Sequence, residues 1–316
     1  MDANEADDLP AARASITPPL ASATQIAVVR GDNLAVLRAL AEAHAGAATL
    51  VYFDPPFFTG REHGTNSHAA REAGSEVAFD DRWGTLEEYL AHVRERVAAA
   101  RALLAPWGSM IVHVDPKTSH YVKIACDEIF GRAAFASEIV WRYRRWPART
   151  PNFQRVHDVL LRFVRDPDTK PRFNQLYEPL AESTKKTWGT GKQLAMFDGD
   201  GKRLRSSTTE EESKGAPLGD VWEISIVAPS GHERTGYPTQ KPEALLEKLI
   251  LSLTDPGELI VDPTLGSGTT LAVAARLGRR AIGIDASEVA HRIAGDRLRA
   301  AGVSFTSAAL APGESG

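Results

Sequence analysis

The sequence is poor in cysteine: its 316 residues include only one, Cys126. A single thiol excludes an internal disulfide framework and any zinc site that uses several cysteines. A reducing compartment suits such a chain, and we therefore expect a cytoplasmic protein.

Long apolar runs are also missing. No segment approaches the roughly 20 consecutive apolar residues of a membrane-spanning helix, so we expect no membrane partner. The first residues carry Asp2, Glu5, Asp7 and Asp8 among alanines, unlike the basic start and apolar centre of a secretion signal. We expect residues 1–24 to be a disordered leader.

Positive charge is in deficit overall, with a formal net charge of −4, which argues against a generally basic coat for nucleic acid. One local excess of arginine nevertheless lies between residues 141 and 165, with Trp141, Tyr143, Trp146 and Phe153 interleaved. Guanidinium groups beside stacking aromatic rings suit a ligand that presents both phosphates and bases. The alternative is a solvated, salt-bridged hairpin. The residues that we expect to bind DNA are Arg142, Arg144, Arg145, Arg149, Arg155, Lys185 and Lys186.

What the sequence does contain is an apolar run at residues 49–53 that ends in Asp54, Pro55, Pro56 and Phe57. Such a run is typical of a buried parallel strand, and ligands of open α/β sheets lie outside the carboxyl ends of these strands. The prolines fix the backbone and leave the preceding carbonyls free to accept hydrogen bonds. Asp54 is thus a candidate site residue, and a solvated Asp after a proline-terminated strand is the alternative.

The surrounding pattern alternates strands and helices. Residues 26–29 and 49–53 are predicted strands on either side of a helix that Asp32 or Asn33 caps. Thr85, Leu86, Glu87 and Glu88 have the spacing of a capping box, and residues 109–115 follow as a further parallel strand. Residues 59–82 are polar and directly follow the candidate site, which suggests a mobile lid.

A second candidate site lies near the other end of the chain. A strand ending in Asp262 and Pro263 runs into a glycine loop, Gly266, Ser267 and Gly268, and then into a helix. This order is typical of a turn that holds a nucleotide, and no lysine follows the second glycine as in a phosphate-binding loop. The next strand ends in Asp285, which is placed to bind ribose hydroxyls.

The glycine turn comes late and the Asp54 strand comes early, which is the reverse of the usual order. If both strands belong to one sheet, the fold class is α/β: a permuted doubly wound, Rossmann-like sheet, mostly parallel, with the two strands adjacent at the topological switch point. That arrangement places a nucleoside cofactor against Asp54.

Three segments in this order resemble the motifs of the beta group of amino DNA methyltransferases. They are Asp54-Pro55-Pro56-Phe57, Tyr237-Pro238-Thr239-Gln240-Lys241-Pro242 and Asp262-Pro263-Thr264-Leu265-Gly266-Ser267-Gly268-Thr269-Thr270. In that family the catalytic motif comes first, a target-recognition segment follows, and the cofactor motif comes last. The resemblance extends from about Gly31 to Asp285. One departure is Thr264, since the family usually has Phe there, and a weaker or repositioned cofactor contact is one consequence.

The resemblance implies methyl transfer from S-adenosylmethionine, with S-adenosylhomocysteine as the product and no metal. The exocyclic amine of a flipped base would bind to Asp54 and the Pro55 carbonyl, with Phe57 stacked on the base, so the implied catalytic residues are Asp54, Pro55, Pro56 and Phe57. Asp285 would bind the ribose and Asp32 would lie near the adenine of the cofactor. The complete implied cofactor set is Asp32, Asp54, Thr239, Lys241, Asp262, Pro263, Gly266, Ser267, Gly268, Thr269, Thr270 and Asp285.

The implied target is adenine in double-stranded DNA, because family members that methylate the cytosine amine more often carry Ser where Asp54 stands. Methylation of that cytosine amine is the alternative. A DNA-binding protein without catalysis, and methylation of RNA or of a protein amide, are further alternatives. A homodimer is compatible with the family.

The expected domain organisation has five parts. They are the leader at 1–24, the catalytic half at 25–165, a target-recognition insert at 166–235, the cofactor-binding half at 236–302 and a flexible tail at 303–316.

Overall fold

The computed structural model describes residues 26–65, 76–147, 149, 151–204 and 206–310. The expected leader lies outside these residues. The chain begins with a β-α-β unit, as the sequence predicts: β1 (Ile26–Arg30), α1 (Asn33–His44) and β2 (Ala48–Phe53). Asp32 caps α1 by accepting a hydrogen bond from the backbone N–H of Ala35 at 3.0 Å. Every residue of β2 is buried, which explains its unbroken apolar pattern.

The polar segment after β2 forms an antiparallel hairpin of β3 (Arg61–Gly64) and β4 (Val77–Asp81). Residues 66–75 of the expected lid lie outside the described residues. Lid movement stays a prediction.

The next helix begins with the predicted capping box, in which the Thr85 hydroxyl accepts from Glu88 N–H and the Glu88 carboxylate accepts from Thr85 N–H. The elements that follow are α2 (Leu86–Leu103), β5 (Leu104–Val114), α3 (Ser119–Phe130), a short 3₁₀ turn (Arg132–Ala134), β6 (Phe135–Arg142) and β7 (His157–Val164).

The expected target-recognition insert contains short and mostly exposed elements. They are β8 (Tyr177–Glu178), α4 (Glu182–Trp188), β9 (Gly191–Leu194), β10 (Ser207–Glu212), β11 (Ala216–Pro217) and β12 (Val221–Glu223). Residues 166–235 were expected to form an insert, but β12 within them belongs to the main sheet. β12 pairs with β6 in parallel, and Trp222 is buried against the main sheet. Three residues are too few to show a strand period in the sequence.

The C-terminal part alternates helices and strands: α5 (Glu243–Leu253), β13 (Leu259–Asp262), α6 (Thr269–Arg276), β14 (Arg280–Asp285), α7 (Glu288–Ala300) and β15 (Phe305–Ala309). The expectation of a flexible tail from residue 303 is wrong for β15, which pairs in parallel with β1 and forms one edge of the sheet. Residues 311–316 lie outside the described residues.

Within the described residues, one nine-stranded sheet has the order β12-β6-β7-β5-β2-β13-β14-β1-β15. All neighbours are parallel except at β7, which is antiparallel to both β5 and β6. The predicted permuted, doubly wound, mostly parallel sheet is confirmed.

Helices cover both faces of this sheet. Buried side chains of α1, α2 and α3, such as Leu37, Val93 and Val122, form one core cluster with one face of the strands. Those of α5, α6 and α7, such as Leu249, Leu271 and Leu298, form a second cluster on the opposite face. The strands therefore contribute alternate residues to two cores, and only their ends are free to build a site.

Across the part of the chain that is described, no helix is both long enough and apolar enough to cross a bilayer.

Candidate active site

β2 and β13 are neighbours in the sheet, with Val51 opposite Val261. The chain leaves β2 toward β5 on one side and leaves β13 toward β14 on the other. A crevice opens where the strand order reverses, outside the carboxyl ends of both strands. Asp54 follows β2 and Asp262 ends β13, and both residues line this crevice.

A cavity of about 280 Å³ fills this crevice. It brings together the predicted catalytic residues and the predicted cofactor residues, apart from Gly268. The predicted residues that line it are Asp32, Asp54, Pro55, Pro56, Phe57, Thr239, Lys241, Asp262, Pro263, Gly266, Ser267, Thr269, Thr270 and Asp285.

Asp54 is held by two residues that lie far away in the chain, Thr264 and Lys241. Its backbone N–H donates to the Thr264 hydroxyl at 2.9 Å, and its Oδ2 accepts a hydrogen bond from the Lys241 ammonium. The same ammonium lies 5.1 Å from the centre of the Phe57 ring. The other carboxylate oxygen, Oδ1, is buried and has no hydrogen-bond partner among the described residues. The site therefore contains one occupied and one free acceptor on the same carboxylate.

His113, at the end of β5, lies behind Asp54 and is fully buried. Its Nδ1 is 2.8 Å from the Tyr52 hydroxyl and 3.7 Å from Asp54 Oδ1. Its Nε2 is 3.5 Å from Asp158 Oδ2. The imidazole therefore lies between two carboxylates, and a single His in a strand pattern gave no signal of this position in the sequence.

Asp81 fixes the backbone that follows the two prolines. Its carboxylate accepts from the backbone N–H groups of Phe57, Phe58 and Thr59 at 3.2, 2.9 and 2.8 Å. It also accepts from the Trp83 indole N–H at 3.1 Å. Phe58 has a positive φ of 57°, a conformation that a non-glycine residue holds only when its surroundings impose it. Asp81 thus presents the Phe57 ring to the cavity, and the sequence did not reveal this residue.

The glycine loop is shaped by contacts that only glycine allows. Gly266 has a φ of +48°, and a Cβ there would lie 3.0 Å from the Tyr237 ring. Gly268 has a φ of +75° and caps α6, and a Cβ there would lie 2.8 Å from Ala294 Cβ. Gly268 therefore serves the packing of α6 against α7 and does not line the cavity, unlike the other predicted loop residues.

Two aspartates accept hydrogen bonds from the backbone of this loop. Asp285 accepts from the backbone N–H groups of Gly266 and Ser287, both at 2.9 Å. Asp262 accepts from Thr264 N–H at 2.9 Å. Burial raises the pKa of both carboxyls, that of Asp262 to about 7, against the opposing hydrogen bonds from Thr270 and Thr264.

Asp32 and Asn33 reach the cavity from the start of α1, and Arg96 of α2 holds both. The Arg96 guanidinium donates to Asp32 Oδ2 at 3.0 Å and to Asn33 Oδ1 at 2.6 Å. The Asn33 amide in turn donates to the Pro263 carbonyl at 2.9 Å, which ties the first β-α unit to the second half of the site. Arg96 lies within an amphipathic helix, so its role could not be read from the sequence.

The arginine-rich loop between β6 and β7 rises from the same edge of the sheet as Asp54. Arg155 is anchored, since it donates to Asp115 Oδ2 at 2.6 Å, and Arg142 pairs with Glu223. Arg144, Arg145 and Arg149 are exposed. The Trp146 and Phe153 rings are 92% and 98% exposed, which leaves them open to a flat partner.

The two lysines of the expected DNA-binding set lie elsewhere, on α4. Lys185 forms an ion pair with Glu182 at 2.8 Å, and Lys186 is exposed. Neither lines the cavity, and their contact with DNA stays a prediction.

A family model described as DNA methylase matches residues 48–296, which is more than half of the chain. The chain belongs to the DNA methylase family. This confirms the resemblance and the prediction of a DNA methyltransferase, with DNA as its substrate.

Two relatives of this DNA methylase are named methyltransferases. Type II methyltransferase M.HpaI of Haemophilus parainfluenzae is 28% identical over 262 residues, which cover 83% of this chain and 71% of that protein. DNA adenine methyltransferase YhdJ of Escherichia coli (strain K12) is 29% identical over 259 residues, which cover 82% and 77%.

Solved structures share the fold of this DNA methylase. The complex of M1.HpyAVI with SAM has a TM-score of 0.54 at 19% identity and covers 87% of this chain and 99% of its own. The PvuII DNA methyltransferase, described as cytosine-N4-specific, has a TM-score of 0.52 at 18% identity and covers 90% and 95%. At these identities the likeness shows the fold.

Proposed function

We propose that this DNA methylase transfers the methyl group of S-adenosylmethionine to the exocyclic amine of adenine in double-stranded DNA. The observation that carries the proposal is that the Asp54 carboxylate and the glycine loop line one cavity. A carboxylate acceptor beside a nucleoside-binding turn is what amine methylation requires.

The cavity fits the proposed cofactor. Gly266 lines it together with Asp285 and Asp32, whose carboxylates would accept from hydroxyl and amine groups. Thr239, Lys241, Ser267, Thr269 and Thr270 add polar groups around it. When bound, S-adenosylmethionine supplies an electrophilic methyl group on a positively charged sulfur.

The residues of the chain would prepare the amine for attack. The lone pair of an exocyclic amine is delocalised into the base, and the base must leave the duplex to reach the cavity. The Asp54 carboxylate and the Pro55 carbonyl would accept the two amine hydrogens and localise the lone pair on nitrogen. Phe57 would stack on the flipped ring, and the Asp81 contacts hold Phe57 ready for this.

Adenine is the favoured base for two reasons. Asp54 stands where cytosine-methylating family members more often carry Ser, and one relative at 29% identity is a DNA adenine methyltransferase. The cytosine amine is the second candidate, because the same acceptors suit any planar amine.

A direct test uses S-adenosylmethionine with a labelled methyl group and a long duplex DNA of mixed sequence. After digestion to nucleosides, we expect the label in N6-methyladenine. Label only in N4-methylcytosine would contradict the adenine assignment. Parallel reactions with RNA and with peptides should remain unlabelled.

The variant Asp54→Ala separates methyl transfer from DNA binding. It should abolish methyl transfer while binding of duplex DNA persists, because the arginine-rich loop is intact. A wild-type protein that transfers no methyl group to any DNA would contradict the proposed chemistry.

DNA contact is proposed for the arginine-rich loop, where Arg144, Arg145 and Arg149 would pair with phosphates and Trp146 and Phe153 would stack on bases. Residues 166–235 would read the target sequence, apart from β12, which belongs to the sheet.

A homodimer and a cytoplasmic location remain predictions, to be tested by light scattering and by cell fractionation.

A further inference from the structure

Thr264 occupies the position where this family usually has Phe, and its hydroxyl joins the two halves of the site. The hydroxyl oxygen accepts a hydrogen bond from the backbone N–H of Asp54 at 2.9 Å. On its other side it donates to Asp262 Oδ1 at 3.4 Å, and the Thr264 backbone N–H donates to the same oxygen at 2.9 Å. The residue thus bridges a buried carboxylate on β13 and the end of β2.

The direction of the two hydroxyl contacts is fixed by chemistry. A backbone N–H can only donate, so the hydroxyl must accept from Asp54. Its own hydrogen is then left to donate to Asp262 Oδ1, an oxygen that already accepts from the Thr264 backbone N–H. Only Thr or Ser can make both contacts at this position with so short a side chain. Phe and Val make neither.

The Asp54 N–H has few other ways to be satisfied. Asp54 follows the last residue of β2, where the ladder to β5 ends with Phe53 opposite Val112. The next two residues are prolines, which provide no N–H donors to anchor the backbone. A backbone N–H left unpaired away from water is costly, so the Thr264 hydroxyl controls where the strand end lies.

We propose that Thr264 is a positioning residue for methyl transfer, which places the Asp54 carboxylate by holding its backbone N–H against Asp262. The proposal rests on the proposed function of the same site. The sequence suggested that Thr264, in place of the usual Phe, alters the contact with the cofactor. In the structure its hydroxyl instead bonds to Asp54, at the end of the strand that would bind the amine.

Loss of the Thr264 hydroxyl should affect kcat more than the KM for S-adenosylmethionine. Misplacement of a reacting group by a fraction of an ångström lowers the rate of the chemical step while binding of the cofactor, which uses other groups, is retained. Thr264→Val has nearly the same shape as threonine without the hydroxyl. We expect it to lower kcat about tenfold, the equivalent of roughly 1.4 kcal/mol, with the KM for S-adenosylmethionine nearly unchanged.

The test compares Thr264→Val, Thr264→Ser and Thr264→Phe in single-turnover methyl transfer to duplex DNA. Thr264→Ser keeps the hydroxyl and should recover most of the wild-type rate, while Thr264→Phe should lose at least as much as Thr264→Val. Titration calorimetry with S-adenosylhomocysteine should give similar affinities for wild type, Thr264→Val and Thr264→Ser. Thr254→Val is the control, because the buried Thr254 hydroxyl also makes two hydrogen bonds, to the Ile250 carbonyl and from the Arg279 guanidinium, but does not line the cavity.

The outcomes separate the two proposals. Full activity of Thr264→Val or Thr264→Phe, or an equal loss in Thr254→Val, would overturn the role of Thr264 and leave the methyltransferase proposal intact. Weakened cofactor binding with an unchanged kcat would also overturn it in favour of a cofactor contact. A wild type that does not methylate DNA would overturn the proposed function itself.

Discussion

The ammonium group of Lys241 donates a hydrogen bond to Asp54 Oδ2, although the two residues are 187 positions apart in the chain. Their side chains are 10% and 17% exposed, so this is a largely buried ion pair. It fixes one oxygen of the carboxylate and leaves Oδ1 for another donor. The cofactor-binding half thereby contributes directly to the geometry of the catalytic half.

Replacing Lys241 should therefore destabilise the protein. Lys241→Met leaves the Asp54 carboxylate buried without its partner, and we expect the free energy of unfolding to fall by about 3 kcal/mol. Urea denaturation measures this. Lys248→Met is the control, because Lys248 pairs with Glu178 at 3.7 Å in a more exposed place. Recovery of stability in Asp54→Asn combined with Lys241→Met would show that the unpaired charge causes the loss, and no loss in Lys241→Met would contradict the pair.

His113 and Tyr52 should contribute to the free energy of unfolding through one shared hydrogen bond. His113→Leu removes the partner of the Tyr52 hydroxyl and the group facing Asp158, so we expect a loss of about 2 kcal/mol in the free energy of unfolding. Tyr52→Phe alone should cost about 1 kcal/mol. In the His113→Leu background the same Tyr52 change should cost little, because the bond is already broken. Additive losses in the double variant would be inconsistent with the 2.8 Å contact.

Stability should depend on pH through Asp262. Its folded-state pKa of about 7 lies above the ordinary value of 3.8, so the folded state binds the proton more tightly. Its contribution to stability is complete below about pH 4 and is lost as the pH rises through about 7, with a total of about 4 kcal/mol. Asp262→Asn mimics the neutral form, and its unfolding free energy should change less over this range than that of the wild type. Parallel pH profiles for the two proteins would rule out this contribution.

Arg145→Gln tests the arginine-rich loop. If Arg145 contacts a phosphate, the variant should bind all duplex sequences more weakly, and the slope of log affinity against log salt should decrease by about 1. Fluorescence anisotropy over a range of salt concentrations measures both quantities. Arg299→Gln is the control, since Arg299 is a similarly exposed arginine that pairs with Asp296 on α7. An unchanged salt slope in Arg145→Gln would remove this residue from the DNA interface.

Local patterns in the sequence were sufficient to predict the long helices and strands. The capping box at Thr85 and Glu88 predicted the start of α2, and the apolar runs predicted β2, β5 and β13, because buried parallel strands have unbroken apolar patterns. The short edge strands β12 and β15 were missed. Their pairing depends on the neighbouring strand more than on their own residues.

The sequence by itself determined the fold class, the family motifs and the two strand ends that build the site, since these depend on apolar periodicity and on residue types at fixed spacing. Only the tertiary structure decided which distant side chains meet there: Lys241 and Thr264 on Asp54, Asp81 on the loop after the prolines, and His113 between two carboxylates. Each of these is a single polar residue whose partner lies far away in the chain. Such contacts follow from the order of the strands, which brings β2 and β13 together, and no local pattern records them.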